Sequence, residues 1–272
     1  MTSQNLSGGT TVLVTGAGGG LGKVIARAFL EAGANVVICD INSDRLETAE
    51  SELSSPRFAG RFLAREADTT SSVAVDELFQ AAVEQFGRVD MLVNNAAVMD
   101  SFDPAGTCSR ETWDRLLDIN LTGPFLTTQA AVKIMEAQAQ AQSPPLQGGT
   151  IINIGSNASV SGSNAGVAYT VTKHGVLGLT RNTAAFYGDK GIACLMLQLG
   201  GLEATNIQQA FAKGMNTEGL AIMQKNFPPF VLGETDVQLA DVAKFCVFLA
   251  DHNIARTMNG AIVPLNKNWP AA

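Results

Sequence analysis

The 272-residue chain predicts an α/β protein built on one parallel sheet, and three observations carry that prediction. From Thr11 onwards short β-rich runs alternate with longer helical patterns, which is how βα units feed a parallel sheet. Several runs, Val36-Val37-Ile38-Cys39 among them, are apolar without alternation, as strands covered by helices on both faces must be. Hydrophobic residues reach 46% and charged residues only 16%, a balance that supports a large core and excludes disorder, a collagen-like repeat and a charged coiled coil.

In chain order the strands are expected at 11–15, 35–39, 61–64, 91–94, 150–154, 192–197 and 261–265. With about six intervening helices they use the whole length, so residues 1–272 read as a single domain without internal repeat. Two stretches break the rhythm. Residues 138–149, biased in composition and containing Pro144, Pro145 and two glycines, read as an exposed loop between a helix and a strand. Residues 201–233 gather Phe211, Met215, Leu220, Ile222, Met223, Phe227 and Phe230 around Pro228 and Pro229. An apolar excursion at the carboxyl end of a strand is a candidate lid over a ligand, with Phe211, Met215 and Phe227 as substrate contacts.

Charge and cysteine usage exclude other classes. With 18 Lys and Arg against 25 Asp and Glu the formal charge is −7, and no basic run offers a path for a phosphate backbone, so no nucleic-acid partner is expected. The polar residues 1–10 lack the basic and apolar regions of a signal peptide, and apolar runs such as 192–197 and 245–250 are far below the ~20 residues of a membrane span. Cys39, Cys108, Cys194 and Cys246 show no C-x-x-C spacing, and the histidines are only His174 and His252. Reduced thiols in a cytoplasmic protein without a metal site are the expectation.

Between the first strand and a helix over 24–30 lies Thr15-Gly16-Ala17-Gly18-Gly19-Gly20-Leu21-Gly22, with five glycines in seven positions. Glycine belongs where a turn needs positive φ and where backbone must approach a pyrophosphate, which the following helix meets with its N–H groups and dipole. Asp40, at the end of the second strand, can accept both hydroxyls of an adenosine ribose and would repel a 2′-phosphate, which favours NAD over NADP; the lesser alternative is that it only caps the helix starting near Ser43. Lys23, one residue into the helix, is expected to point away from the ribose. Downstream, Ser156 is followed thirteen residues later by Tyr169-Thr170-Val171-Thr172-Lys173. Residues four apart share a helix face, so Lys173 can supply the positive charge that a tyrosine, with an ordinary pKa near 10, needs as a general base. Ser156 can hydrogen-bond the substrate oxygen.

The turn Thr15 to Gly22, Asn94-Asn95-Ala96-Ala97, Asn120 in Asn-Leu-Thr-Gly, Ser156 and Tyr169-x-x-x-Lys173 together resemble the classical short-chain dehydrogenase/reductase superfamily, in its order and spacing over about residues 10 to 200. The resemblance implies a single-domain Rossmann fold, seven-stranded and parallel with helices on both faces, a nicotinamide cofactor, and a homotetramer or dimer that pairs the helices carrying Asn120 and Tyr169. It makes Tyr169 the acid/base, Lys173 its electrostatic partner and ribose ligand, Ser156 the orienter of the substrate oxygen, and Asn120 the holder of a relay water. Gly16, Gly19, Gly20, Leu21 and Gly22 would line the dinucleotide with Asp40, Asp68, Thr69 and Asn95, while Asn94 would tie adjacent strands together. Gln198-Leu199-Gly200-Gly201 stands where the family usually has Pro-Gly, which blurs the expected contact of Thr205 with the nicotinamide. Val263-Pro264-Leu265-Asn266 replaces a common Val-Asp-Gly-Gly.

The resulting expectation is an NAD-dependent oxidoreductase of secondary metabolism, interconverting a secondary alcohol and ketone on a fairly large apolar molecule of terpenoid, steroid-like or polyketide type. An NADP-dependent ketoreductase and a non-catalytic dinucleotide-binding scaffold are the alternatives, since fold alone does not prove chemistry.

Overall fold

A computed structural model describes residues 6, 9–141, 148–202, 214–227, 229, 231 and 233–269. Seven strands, β1 (Thr11–Thr15), β2 (Asn35–Asp40), β3 (Phe62–Glu66), β4 (Met91–Asn94), β5 (Gly149–Ser156), β6 (Ile192–Leu199) and β7 (Ile262–Leu265), form one sheet in the order β3-β2-β1-β4-β5-β6-β7. Every pairing is parallel. Between them run α1 (Gly20–Glu31), α2 (Ser43–Leu53), α3 (Ser72–Phe86), α4 (Arg110–Leu117), α5 (Gly123–Gln140), α6 (Val167–Tyr187), α7 (Thr217–Asn226), α8 (Leu239–Phe248) and α9 (His252–Thr257).

The unbroken apolar runs are divided by the pleat. Val12, Val14, Val36, Ile38, Met91, Val93, Ile152, Leu195 and Leu197 pack on one face against α1, α2 and α8. Their neighbours Leu13, Val37, Leu92 and Ile151 face the other way, against α3 and α5. Because successive side chains point to opposite faces, a strand with helices on both sides must be apolar at every position.

Several boundaries differ from the sequence expectation, among them β5, which runs Gly149–Ser156 rather than over 150–154. α5 continues through Gln140 rather than yielding to a loop at Gln138. The Gln138 side chain takes the Val89 N–H at 2.7 Å and donates to the Val89 carbonyl at 2.9 Å, and the alanines and glutamines around it are good helix formers. Residues 142–147 lie outside the described residues. β6 runs two residues further, to Leu199, because leucine at that position, unlike proline, keeps its N–H and the strand pairs on both sides, with Ser156 and Leu265. β3 is displaced to Phe62–Glu66, where Asp40 pairs with Glu66. Pro264 is tolerated in β7 because that strand is an edge of the sheet.

At the sheet's centre a polar seam crosses the second layer of core. Asn94 in β4 donates to the Asn153 side chain in β5 at 2.8 Å and to Thr128 at 3.1 Å, and accepts from Thr127 at 2.6 Å. Asn153 in turn donates to Thr180 of α6 at 2.9 Å. Asn153→Ala removes one buried partner each from Asn94 and Thr180 and opens a space in the core, and is expected to lower stability by about 2–3 kcal/mol in a urea melt. A loss under about 0.5 kcal/mol would show that the seam is repaired by other partners.

Candidate functional site

The sheet order reverses its direction of growth between β1 and β4, and the carboxyl ends of these two strands frame the crevice where parallel α/β sheets bind ligands. The glycine-rich turn occupies it. Gly16 has φ +63°, and a Cβ there would lie 2.7 Å from the Ala96 Cα. At Gly22 a Cβ would lie 2.6 Å from both the Asn95 amide nitrogen and the Gly16 carbonyl oxygen. α1 starts at Gly20 after Gly19, with no side chain capping its first turn, so backbone N–H groups and the helix dipole face the turn. A cradle that any Cβ would fill, open to the free end of a helix, fits a pyrophosphate.

Asp40 is nearly buried and accepts from Gly18 N at 3.1 Å and Asn42 N at 3.0 Å. The cap of α2 is Asn42, not Asp40. Arg45, in the first turns of α2, lies 3.3 Å from the Asp40 carboxylate, and its Nε is buried with no hydrogen-bond partner. Lys23 is turned to Glu52 at 2.9 Å. Asn95 braces the turn from below, donating to the Thr15 and Gly16 carbonyls at 2.9 and 3.0 Å. Asp68 is half-buried and accepts from the Thr70 N–H and hydroxyl; Thr69 beside it is buried.

Across the crevice, β5 ends in Ser156 and α6 presents Tyr169 and Lys173, both buried. The Ser156 hydroxyl accepts the Ala158 N–H at 3.2 Å and is close enough to the Tyr169 phenol to favour its ionised form. The Lys173 ammonium donates to the Ile154 carbonyl at 2.8 Å and lies 5.5 Å from the centre of the Tyr169 ring. Burial pushes the phenol up to about 12, opposed by the Ser156 hydroxyl and reinforced by the Asp100 carboxylate. Burial brings Lys173 down to about 8. The expected lowering of the phenol by Lys173 is therefore not what these groups set: desolvation of the tyrosine dominates, and the arrangement favours a phenol that holds its proton. Asn120 sits in a π-helical turn, Asp118–Thr122, joining α4 to α5. Its side chain clamps the Val98 backbone, accepting from N and donating to O at 2.8 Å each, and reaches Thr172 at 3.4 Å.

The other sequence candidates are dispersed. His174 is exposed on α6, its ring against the Thr170 carbonyl. Thr205, Phe211 and Phe230 lie outside the described residues. Met215 is exposed and Phe227 half-buried at the two ends of α7. Sequence reasoning passed over Thr15, Arg45 and Asp100. Thr15 and Arg45 acquire their roles from partners brought in by the fold, whereas Asp100 had one signal, a long helix opening on Gly166 without a capping side chain.

The short chain dehydrogenase family matches residues 10–216 of the chain. The short chain dehydrogenase/reductase dpchG of Colletotrichum higginsianum is 44% identical over 261 residues, 96% of this chain and 94% of that protein. The 3beta-hydroxysteroid dehydrogenase 2 of Eggerthella lenta is 30% identical, over 97% and 95% of the two chains. Among solved structures, levodione reductase superposes with a TM-score of 0.83 at 26% identity, covering 98% of this chain and 99% of its own.

Gly22→Ala tests the cradle directly. Its Cβ must displace Asn95 or the Gly16 carbonyl, so the melting temperature is expected to fall, and in the folded variant the affinity for NADH, read by fluorescence titration, to drop at least about tenfold. Unaltered affinity would remove the turn from the binding site.

Proposed function

This chain belongs to the short-chain dehydrogenase family, whose members bind a nicotinamide dinucleotide, and from that premise we propose that it is an NAD-dependent oxidoreductase. It interconverts a secondary alcohol and a ketone on a fairly large apolar small molecule of terpenoid, steroid-like or polyketide type. The observation that carries the reading is the Lys173 ammonium held beside the Tyr169 ring, with Ser156 at the end of β5 next to them, opposite the glycine cradle.

The dinucleotide, when bound, supplies or accepts the hydride. In reduction Tyr169, protonated at neutral pH because burial holds it near 12, donates its proton to the carbonyl oxygen, which Ser156 orients. In oxidation Tyr169 takes the alcohol's proton, and Lys173, with its pKa near 8, is mostly charged at pH 7 and stabilises the phenolate that the next proton exchange restores. Asn120 is assigned the water through which Lys173 reaches solvent. Gly16, Gly19, Gly20, Leu21 and Gly22 take the pyrophosphate; Asp68, Thr69 and Asn95 line the adenosine half; Thr205 is assigned to the nicotinamide end. The 201–233 segment serves as the lid, and the apolar surface of α7, with Ile222 and Met215 exposed, supports an apolar substrate, as does the steroid named for the Eggerthella relative. Exposed Phe125 on α5 and Val171 and Phe186 on α6 support an oligomer formed through those helices.

For the cofactor, Asp40 stands where the ribose hydroxyls would be received, which supports NAD. Arg45 favours a second reading, since it offsets the Asp40 charge and keeps a buried, unpartnered Nε, so a 2′-phosphate would meet less repulsion than an isolated aspartate would give.

Tyr169→Phe should lower kcat/KM by roughly 10²- to 10⁴-fold, assayed as reduced-nicotinamide absorbance with NAD and a panel of apolar secondary alcohols that includes a 3β-hydroxysteroid. Turnover within a few-fold of the wild type would sink the mechanism. The cofactor test compares kcat/KM for NAD and NADP. Asp40→Ala is expected to narrow an NAD preference by about tenfold or more, and Arg45→Ala to widen it; a wild-type preference for NADP would overturn the Asp40 reading.

A further inference from the structure

α6 carries Tyr169 in its first turn, yet Gly166 at its start offers no capping side chain and that turn contains no acid. The missing cap comes from 66 residues away. Asp100, 1% exposed, accepts from Gly166 N at 2.9 Å and from Tyr169 N at 3.0 Å, and from Phe102 N at 3.2 Å within its own loop. A buried carboxylate is tolerated only when such donors and a helix dipole compensate its lost hydration. The same loop engages three further parts of the site. Val98 holds Asn120. The Asp103 carbonyl takes the N–H of Val167, the first residue of α6. On its outer side, Asn216, the N-cap of α7, donates its backbone N–H to the Ser101 carbonyl at 2.8 Å and its side chain to Asp103 at 3.0 Å. α7 comes so close that a Cβ on Gly219 would overlap the Phe102 carbonyl oxygen.

We propose that Asp100 is a positioning residue for Tyr169, and that the loop it anchors, residues 98–103, is a shared seat on which the tyrosine helix and α7 are held in register. The motif residues named above do not include this acid; its role follows from its three donors and its place under the first turn of α6. The charged and titratable groups facing the phenol are Asp100 from the loop, Ser156 from β5 and Lys173 from α6, with Cys108 in the apolar cluster around the ring. Asp103 in turn faces Asp100. The carboxylate thus also opposes phenolate formation, which gives the position an electrostatic signature that a purely structural cap would lack.

The inference rests on Tyr169 being the acid/base, so the test includes a readout that needs no turnover. The chain has two tyrosines, and in a Tyr187→Phe background the absorbance of tyrosinate reports Tyr169 alone. Asp100→Asn should raise that absorbance at about pH 10.5 several-fold, because the opposing charge is gone. An unchanged absorbance in a folded variant would overturn the electrostatic part. In the alcohol assay described above, the same variant should lose about tenfold or more in kcat with KM for NAD within about two-fold; unchanged kcat would overturn the positioning role. Asp100→Glu, which keeps the charge but moves it by one methylene, should lower kcat without raising the tyrosinate signal. Should neither variant fold, Asn216→Ala, at the loop's exposed side, still tests the seat. It is expected to raise KM for the 3β-hydroxysteroid about five-fold with the tyrosinate signal unmoved, and an unchanged KM rejects the seat. If the wild type turns over no alcohol in the panel, the proposed substrate fails while the tyrosinate titration still decides the electrostatic part of the Asp100 assignment.

Discussion

The hydroxyl of Thr15 holds together the one place in the sheet where chain direction of growth reverses. It accepts the N–H of Asn95 at 3.0 Å and of Ala96 at 3.1 Å, and the Asn95 side chain returns two hydrogen bonds to the Thr15 and Gly16 carbonyls. A parallel sheet wound outwards in both directions from its middle necessarily opens a crevice there, because the connections leave to opposite faces. Left to itself that crevice is an ill-defined gap between two strand ends. The four bonds across it turn it into a rigid floor, and the glycine turn is then held at a fixed height above the sheet, with Ala96 so close beneath Gly16 that no other residue fits.

The opposite wall is fixed by a different device. α6 is tied down at three depths: to β5 by Asn153 to Thr180 in the core and by the Lys173 ammonium to the Ile154 carbonyl near the strand's end, and to the loop after β4 by the Asp100 carboxylate at the helix's first turn. Each tie buries polar groups, and each would cost more unmade than it contributes when made. Apolar packing alone would let a long helix slide or rotate along a smooth sheet at little cost. Directional bonds at three levels leave one position, and with it one separation between Tyr169, Ser156 and the floor of the crevice. The same logic explains why asparagines occupy the middle of an otherwise apolar sheet: Asn94 and Asn153 satisfy each other across β4 and β5 while each reaches a threonine on a covering helix.

What could be read from the sequence divides along the range of the interactions involved. Strand runs such as Val36 to Cys39 and the spacing of Tyr169 and Lys173 are local patterns, set by pleat and helix period, and the structure repeats them. Boundaries moved where a long-range partner intervened. Gln138 reads as part of a polar loop until the Val89 backbone is seen to accept its amide, and Leu199 extends β6 only because both neighbouring strands reach that far. Arg45 was illegible for the same reason, and for Asp100 the uncapped start of α6 signals that a cap is needed but not which residue supplies it. Asp100 caps a helix 66 residues downstream, and Arg45 matters only because the end of β2 brings Asp40 within 3.3 Å. No periodicity records such meetings.

Burial acts on the two buried titratable groups of the site in opposite senses, and the consequence is chemical. It pushes Tyr169 up to about 12 and Lys173 down to about 8, each towards its neutral form, since a low-dielectric site penalises charge of either sign. A phenol set that high keeps its proton at neutral pH, and its phenolate, though strongly basic, is sparsely populated. The protein offsets this only in part: Ser156 favours the phenolate, while Asp100 opposes it. On the proposed reading, Lys173 and positive charge that arrives with the reactants together complete the activation for alcohol oxidation, whereas ketone reduction begins from the protonation state already present. The buried pair thus links the protonation state of Tyr169 to the charge that occupies the crevice, and the seat under the first turn of α6 keeps the phenol where that charge can act on it.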